Sequence, residues 1–254
     1  MNIIVCLKQT FDTEEKIVLQ NGQISEDGVE FIINPYDEYA VEEAIKLRDE
    51  HGGEVTVVTV GPERAESSLR TALAMGADKA VIVDSEELDL DEYSVAKILA
   101  SVIKDREFDI ILGGNMAVDN GSGQVGARLA EELNIAQVTT ITKLDVDSGK
   151  ATIERDMEGD VEVVEVSLPI LVTAQQGLNE PRYPSLPGIM KAKKKPMERL
   201  TVDDLEIDGD AKAKTAVTET YLPPKKEAGR ILSGDIPDQV KELVQLLRSE
   251  AKVI

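Results

Sequence analysis

Residues 119–124 carry the pattern whose chemistry is easiest to interpret, and they read Asp119, Asn120, Gly121, Ser122, Gly123 and Gln124. The glycines allow the backbone to approach a phosphate closely, and the serine hydroxyl can cap a helix or donate a hydrogen bond. A predicted helix over residues 122–133 would add N–H groups that favour an anion. The pattern predicts a phosphate-binding loop, although a plain turn with a helix cap would need no ligand.

The single cysteine, Cys6, and the single histidine, His51, restrict the other chemistry open to the chain. A catalytic triad would have to use His51, which the sequence places in the last turn of a helix before a glycine stop. One cysteine and one histidine exclude a Cys/His metal cluster, so no metal is expected. An internal disulfide is also excluded, which is typical of the reducing cytoplasm. Cys6 ends a buried strand, where it is interpreted as an apolar contact without redox chemistry.

The charge balance excludes several classes of partner. There are 28 basic and 49 acidic residues, giving a net charge of −21. This charge repels nucleic-acid phosphates and anionic membranes, so neither is expected as a partner. The sequence contains no apolar run of ~20 residues, so membrane insertion is not expected either. A well-hydrated surface accounts for most of the acidic residues.

The elements that must position these residues show an α/β pattern through residue 145. Apolar strands alternate with amphipathic helices, which predicts a mostly parallel, doubly wound sheet covered on both faces. The strands are predicted at 3–7, 55–60, 79–83 and 109–112, and the helices at 37–50, 63–75, 92–104 and 122–133. Alternating segments between residues 138 and 173 predict antiparallel strands that extend this sheet at one edge.

Residues 178–195, called the docking segment below, combine prolines, apolar residues and lysines. Three prolines and a glycine predict a stiff exposed loop, with no helix or central strand. Its apolar side chains and four following lysines predict a docking surface for another protein, although an ordinary solvated linker is the alternative. The candidate docking residues are Tyr183, Leu186, Ile189 and Met190.

The C-terminal part of the chain is predicted to be an arm. Residues 212–226 show no period, and an apolar stripe then marks a last helix from residue 236. We expect this helix to pack on a partner subunit, with its own domain as the alternative surface. The predicted organisation is a nucleotide-binding domain at 1–175, a recognition loop and basic segment at 176–200, and the arm at 201–254.

Four blocks of the sequence, in order, resemble the β subunit of electron transfer flavoproteins. The blocks are residues 33–44, 69–78, 153–173 and the docking segment, and the resemblance extends from the first strand to about residue 205. It implies a fold similar to the adenine nucleotide α-hydrolases. It also implies an electron carrier subunit, which is not an enzyme.

The resemblance assigns a nucleotide pocket for AMP. It implies that Cys6 and Val60 line the adenine, that Asn34, Pro35, Tyr36 and Asp37 touch the base or ribose, and that Asp119 to Gln124 hold the phosphate. In electron-bifurcating members a second FAD replaces AMP there, and the loop at 118–126 is similar to theirs. Phe11 and Thr13 would approach the flavin, and Asp156 stands where the family commonly has a glutamate that pairs with the other subunit.

The resemblance also implies the partners. The α subunit would hold most of the FAD in a heterodimer, taking electrons from acyl-CoA dehydrogenases of fatty acid β-oxidation and passing them to the ETF-quinone oxidoreductase. The leucine equivalent to Leu186 enters a pocket on the partner flavoenzyme. Two other classes remain open: an ATP-cleaving hydrolase, although residues 8–12 lack the glycines of its phosphate loop, and a nucleotide-binding stress module that acts alone.

Overall fold

The computed structural model describes residues 1–85, 88–207, 209, 211–226 and 228–254. The chain forms two compact units. The larger contains residues 1–18 and 25–218, and the smaller contains residues 19–24 and 219–254. The predicted division of the chain at residues 175 and 200, into a nucleotide-binding domain, a recognition loop and an arm, remains a prediction.

The described strands and helices follow one another in α/β order. The strands are β1 (Asn2–Cys6), β2 (Gln9–Phe11), β3 (Leu19–Gln20), β4 (Gln23–Ile24), β5 (Phe31–Ile33), β6 (Glu54–Gly61), β7 (Lys79–Asp84), β8 (Ile110–Gly114), β9 (Ala136–Asp147), β10 (Lys150–Met157), β11 (Asp160–Ser167), β12 (Ile170–Ala174) and β13 (Met197–Thr201). The helices are α1 (Pro35–His51), α2 (Glu66–Met75), α3 (Glu92–Ile103), α4 (Val125–Leu133), α5 (Leu186–Ala192) and α6 (Ile236–Leu246).

Helices cover both faces of the central sheet, as predicted. Successive residues of the buried strands point to opposite faces. Val57 therefore joins the core beneath α1 and α2, while Val58 joins the core beneath α3 and α4. Both faces of these strands are apolar because both are covered, which is why the strands read as continuous apolar runs.

The strand order places a crevice beside β1. The nine-stranded sheet runs β11-β10-β9-β12-β8-β1-β6-β7-β13. The chain moves from β1 to β6 and β7 on one side, then crosses to β8 on the other side of β1. Ligands of open α/β sheets bind outside the carboxyl ends of the strands at such a reversal of direction.

The predicted antiparallel extension is confirmed for β9, β10 and β11, but its last predicted strand, β12, lies inside the sheet and pairs parallel with both β8 and β9. Strand β10 pairs antiparallel with both β9 and β11, while β9 also pairs parallel with β12. Thr140 adopts a φ of 57° where the register of β9 shifts. Strand β11 forms one edge of the sheet, with Val161 and Val163 exposed.

The prediction that the whole docking segment is a loop is wrong, because residues 186–192 form helix α5. Pro187 is compatible with this helix because it lies in the first turn, where backbone N–H groups have no partner within the helix. The side chain of Ser185 accepts a hydrogen bond from the N–H of Gly188 and caps the helix. Strand β13, which was not predicted, then pairs parallel with β7.

The smaller unit contains the β3–β4 hairpin and helix α6. Asp235 caps α6 by accepting a hydrogen bond from the N–H of Asp238. No residue of α6 is buried, and Ile236, Val240 and Leu243 of its apolar stripe are exposed. Its packing against a partner remains a prediction. Across the described parts of both units, no helix has the length and apolar character needed to cross a membrane.

Candidate functional site

A cleft of about 950 Å³ lies at the carboxyl ends of β1, β6 and β8, within the larger unit. Small-molecule sites typically occupy ~300–1,000 Å³. The residues predicted for the nucleotide that line the cleft are Cys6, Asn34, Asp37, Val60, Asn120, Ser122, Gly123 and Gln124. The other four, Pro35, Tyr36, Asp119 and Gly121, are chain neighbours of lining residues.

Asp37, in the first turn of α1, is a buried acidic residue that lines the cleft. Its two carboxylate oxygens accept the backbone N–H groups of Lys8 at 2.7 Å and Gly114 at 2.8 Å. The carboxylate therefore ties α1 to the segment that follows β1 and to the last residue of β8. Burial raises the pKa of Asp37 to about 7, although the hydrogen bonds from these N–H groups act in the opposite direction.

Gly114 must be a glycine for this contact to form. A Cβ atom there would lie 2.4 Å from Oδ1 of Asp37 and 2.6 Å from Cβ of Tyr36. Any side chain would therefore push β8 and the start of α1 apart.

Asn34 precedes α1 and fastens it to the chain after β8. Its side-chain amide donates to the carbonyl of Met116 at 2.9 Å, and its side-chain oxygen accepts the N–H of Val118 at 3.1 Å. The side chain is almost fully buried. These contacts give Asn34 a role in shaping the cleft.

Cys6 lies at the end of β1 and forms part of the cleft wall. Burial, with the Asp37 carboxylate as the smaller cause, raises the pKa of its thiol to about 12. A thiol with such a pKa stays protonated near neutrality, and the thiolate is the reactive species. The interpretation of Cys6 as a contact residue agrees with this environment.

The loop at 119–124 adopts the backbone conformation that its glycines allow. Gly121 and Gly123 have φ values of 63° and 61°, in the left-handed region. The N–H of Ser122 donates to Oδ1 of Asn120, and Lys8 pairs with Asp119 at 2.7 Å. No described residue forms a hydrogen bond with the Ser122 hydroxyl.

The predicted helix cap at Ser122 is wrong. Helix α4 begins at Val125, and its cap position is Gln124, which makes no capping bond through its side chain. The second left-handed glycine, Gly123, delays the helix by three residues. Ser122 is therefore on the cleft wall and outside the helix.

Sequence reasoning missed Asp91, which lines the cleft at the start of α3. Its side chain accepts the N–H of Ser94 at 2.9 Å, of Lys214 at 2.7 Å and of Thr215 at 2.9 Å. Burial would raise the pKa of Asp91, but these hydrogen bonds outweigh it and hold the pKa well below its usual range. An aspartate directly before an apolar stripe predicts a helix cap, so the capping role of Asp91 was open to prediction. Its contact with residues 214 and 215 was not, because no local pattern indicates it.

The residues predicted near a flavin lie outside the lining of the cleft. The ring of Phe11 packs against Phe31 with the centroids 5.1 Å apart, and the Arg64 guanidinium lies 4.1 Å from the Phe31 centroid. Thr13 follows β2 in an exposed turn, and Asp156 is exposed near the end of β10. Their roles toward a flavin remain predictions.

All four predicted docking residues are exposed. The exposed fraction is 93% for Tyr183, 80% for Leu186, 44% for Ile189 and 73% for Met190. Lys195 differs from the neighbouring lysines because its ammonium group turns inward and donates to the carbonyl of Leu73 at 2.9 Å. Burial lowers the pKa of Lys195.

Comparisons with known proteins identify the family of the chain. Residues 21–205 match the family model described as electron transfer flavoprotein domain. The chain is 63% identical over 258 residues to the electron transfer flavoprotein subunit beta of Bacillus subtilis (strain 168), with both chains covered completely.

More distant relatives match with similar coverage. Identity to the electron transfer flavoprotein subunit beta of Syntrophomonas wolfei is 42%, over 100% of this chain and 98% of the relative. Identity to the mitochondrial subunit beta of Oryza sativa subsp. japonica is 38%, with complete coverage of both. The chain therefore belongs to the electron transfer flavoprotein family, in which it is a member of the β-subunit group.

Proposed function

We propose that this chain is the β subunit of a heterodimeric electron transfer flavoprotein, whose α subunit holds most of the FAD. The FAD would carry electrons from acyl-CoA dehydrogenases and similar flavoenzymes to a membrane quinone reductase. The observation that carries the docking part of this proposal is the exposure of Leu186 at the start of α5, with Tyr183 and Met190 on the same segment. A monomeric protein would seldom leave such apolar side chains together in water.

We further propose that AMP binds in the cleft and has a structural role. The apolar wall around Val60, Leu90 and Leu99 suits a flat base. The glycine loop suits a phosphate, since its Ser122 hydroxyl forms no hydrogen bond with any described residue. Asn120 and Gln124 lie in the same wall. A nucleotide that binds only the folded chain stabilises it by mass action.

In this proposal the chain performs no bond chemistry and acts as part of an electron carrier. The Cys6 thiol stays protonated, and the carboxylate of Asp37 is occupied by two backbone N–H groups. Across the described residues, no group of three or more His, Cys, Asp or Glu side chains is arranged to hold a metal ion. Redox chemistry would belong to the flavin.

The bound nucleotide can be identified by denaturing the purified heterodimer and separating the released compounds by chromatography. We expect one equivalent of AMP and one of FAD. Two equivalents of FAD without AMP would instead support the electron-bifurcating form, in which a second FAD takes the place of AMP. The cleft volume of about 950 Å³ lies at the upper end of the range for small-molecule sites. ATP hydrolysis by the chain alone would support the hydrolase alternative.

The docking surface can be tested with Leu186→Ala in the heterodimer. The few hot-spot residues of an interface each contribute at least ~2 kcal/mol. With Leu186 proposed as such a residue, kcat/KM for reduction by an acyl-CoA dehydrogenase should fall at least ~30-fold. Flavin content should not change, because the side chain is 80% exposed. Unchanged transfer would contradict the docking role.

A further inference from the structure

The docking segment is attached to the larger unit on both sides of an exposed apex, residues 183–190. Before the apex, Leu178 packs against the core, and Asn179 and Arg182 contact helix α1. After the apex, Ala192 is buried and Lys195 contacts the end of α2.

Glu42 of α1 forms the first attachment. Its carboxylate accepts three hydrogen bonds from Arg182. The donors are Nε at 2.7 Å, a terminal guanidinium nitrogen at 2.9 Å and the backbone N–H at 3.2 Å. Glu42 is 5% exposed. A paired guanidinium–carboxylate contact has a defined geometry, so one buried carboxylate sets both the position and the direction of the chain as it enters the apex.

Asn179 reinforces this attachment through the next residue of α1, Glu43. Its side-chain nitrogen donates to Oε2 of Glu43 at 2.9 Å and to the carbonyl of Tyr39 at 2.9 Å. Glu43 is also buried. Two neighbouring buried carboxylates of α1 therefore face the docking segment and are occupied by it.

The carboxyl end of α2 forms the second attachment. The ammonium group of Lys195 donates to the carbonyls of Leu73 and Ala77, and Arg70 donates to the carbonyl of Ala192 at 2.9 Å. Cations near the last carbonyl groups of a helix are favourable. At Gly188, a Cβ atom would lie 2.4 Å from the carbonyl oxygen of Ala74, so α5 touches the end of α2 at backbone distance.

We propose that Glu42 and Gly188 are positioning residues that hold Leu186 ready for docking before the partner arrives. This inference rests on the proposed function. Ordering a free loop on binding weakens affinity, so a segment fixed at both ends docks more tightly than a mobile one. The attachments leave the docking side chains in solvent, because Leu186 and Met190 remain 80% and 73% exposed.

The test uses the intact heterodimer and three single variants, Glu42→Gln, Arg182→Gln and Gly188→Ala, with the double variant Glu42→Gln/Arg182→Gln. Glu165→Gln is the matched control, since it breaks the exposed pair between Lys150 and Glu165 at 2.7 Å. Three quantities are measured: flavin content, KM and kcat for the heterodimer as substrate of an acyl-CoA dehydrogenase, and deuterium exchange of the amides at 183–192.

We expect each single variant to raise KM about three- to tenfold and leave kcat and flavin content unchanged, because the partner orders the segment once it is bound. Amide exchange at 183–192 should become at least about tenfold faster. The double variant should resemble either of its single variants, since both break the same contact. The control should match the original protein in all three quantities.

The Leu186→Ala heterodimer separates the possible failures. A raised KM for Leu186→Ala with an unchanged KM for all three single variants would overturn the positioning role and leave the proposed function standing. An unchanged KM for Leu186→Ala would overturn the docking function and this inference with it. If only Gly188→Ala raises KM, the positioning role of Glu42 is overturned and that of Gly188 stands. If only Glu42→Gln and Arg182→Gln raise KM, the role of Gly188 is overturned and that of Glu42 stands.

Discussion

The cleft and the docking segment use the same kinds of residue in opposite ways. In the cleft, the carboxylate of Asp37 turns inward to satisfy backbone N–H groups, and the apolar side chains form a concave wall. In the docking segment, the polar contacts lie at the two ends, and the apolar side chains point into solvent. At both sites polar residues fix the backbone and leave apolar side chains accessible.

Helix α1 serves both regions. Asp37 lies in its first turn at the cleft, and Glu42 lies five residues later against the docking segment. The three acidic residues Asp37, Glu42 and Glu43 are buried on a helix whose other buried residues are apolar. Buried carboxylates are retained only where hydrogen bonds occupy them, as they are in all three cases.

The largest effect that distinguishes the two regions is expected for Asp37→Ala. The change leaves two buried N–H groups without their acceptor, at ~1–3 kcal/mol for each group. The free energy of unfolding should fall by about 2–5 kcal/mol at pH 5, measured by urea denaturation. Asp147→Ala, at the exposed end of β9, is the control and should have little effect.

The effect of Asp37→Ala should also depend on pH. The folded chain binds the proton of Asp37 more tightly than the unfolded chain, because the pKa is raised from 3.8 to about 7. The stability due to Asp37 is therefore full below pH ~4 and is lost as the pH rises toward 7. The difference between the two proteins should be smaller at pH 8 than at pH 5, and an equal difference would contradict the raised pKa.

The smallest effect on stability is expected for Tyr183→Ala at the apex. Its side chain is 93% exposed, so the free energy of unfolding should change by no more than ~0.5 kcal/mol. Reduction of the heterodimer by a dehydrogenase should nevertheless slow. A loss of stability comparable to that of Asp37→Ala would show that the apex belongs to the fold.

The parallel sheet was predictable because its strands are buried on both faces. Residues such as Val55, Val57 and Val58 give continuous apolar runs that need no tertiary information. The glycine loop was predictable for a similar reason, since Gly121 and Gly123 indicate left-handed backbone by residue type alone. The start of α4 at Val125 could not be predicted from residue type, because Ser122 is also a favourable helix cap.

Helix α5 and the contacts that hold it could not be predicted from local patterns. Pro187 reads as a helix breaker unless the first turn is already located. Glu42 and Arg182 are 140 positions apart in the sequence, so their pairing depends on the complete fold. Strand β13 was missed because its sequence, Met-Glu-Arg-Leu-Thr, is short and charged, as suits an edge position.

The exposed edge of β11 has a practical consequence for handling the protein. Its outer backbone groups pair with no other described strand, and Val161 and Val163 are 63% and 65% exposed. An open strand of this kind can template the addition of a strand from another molecule. Isolated preparations should therefore be stored dilute, because a high concentration of the chain favours such strand addition.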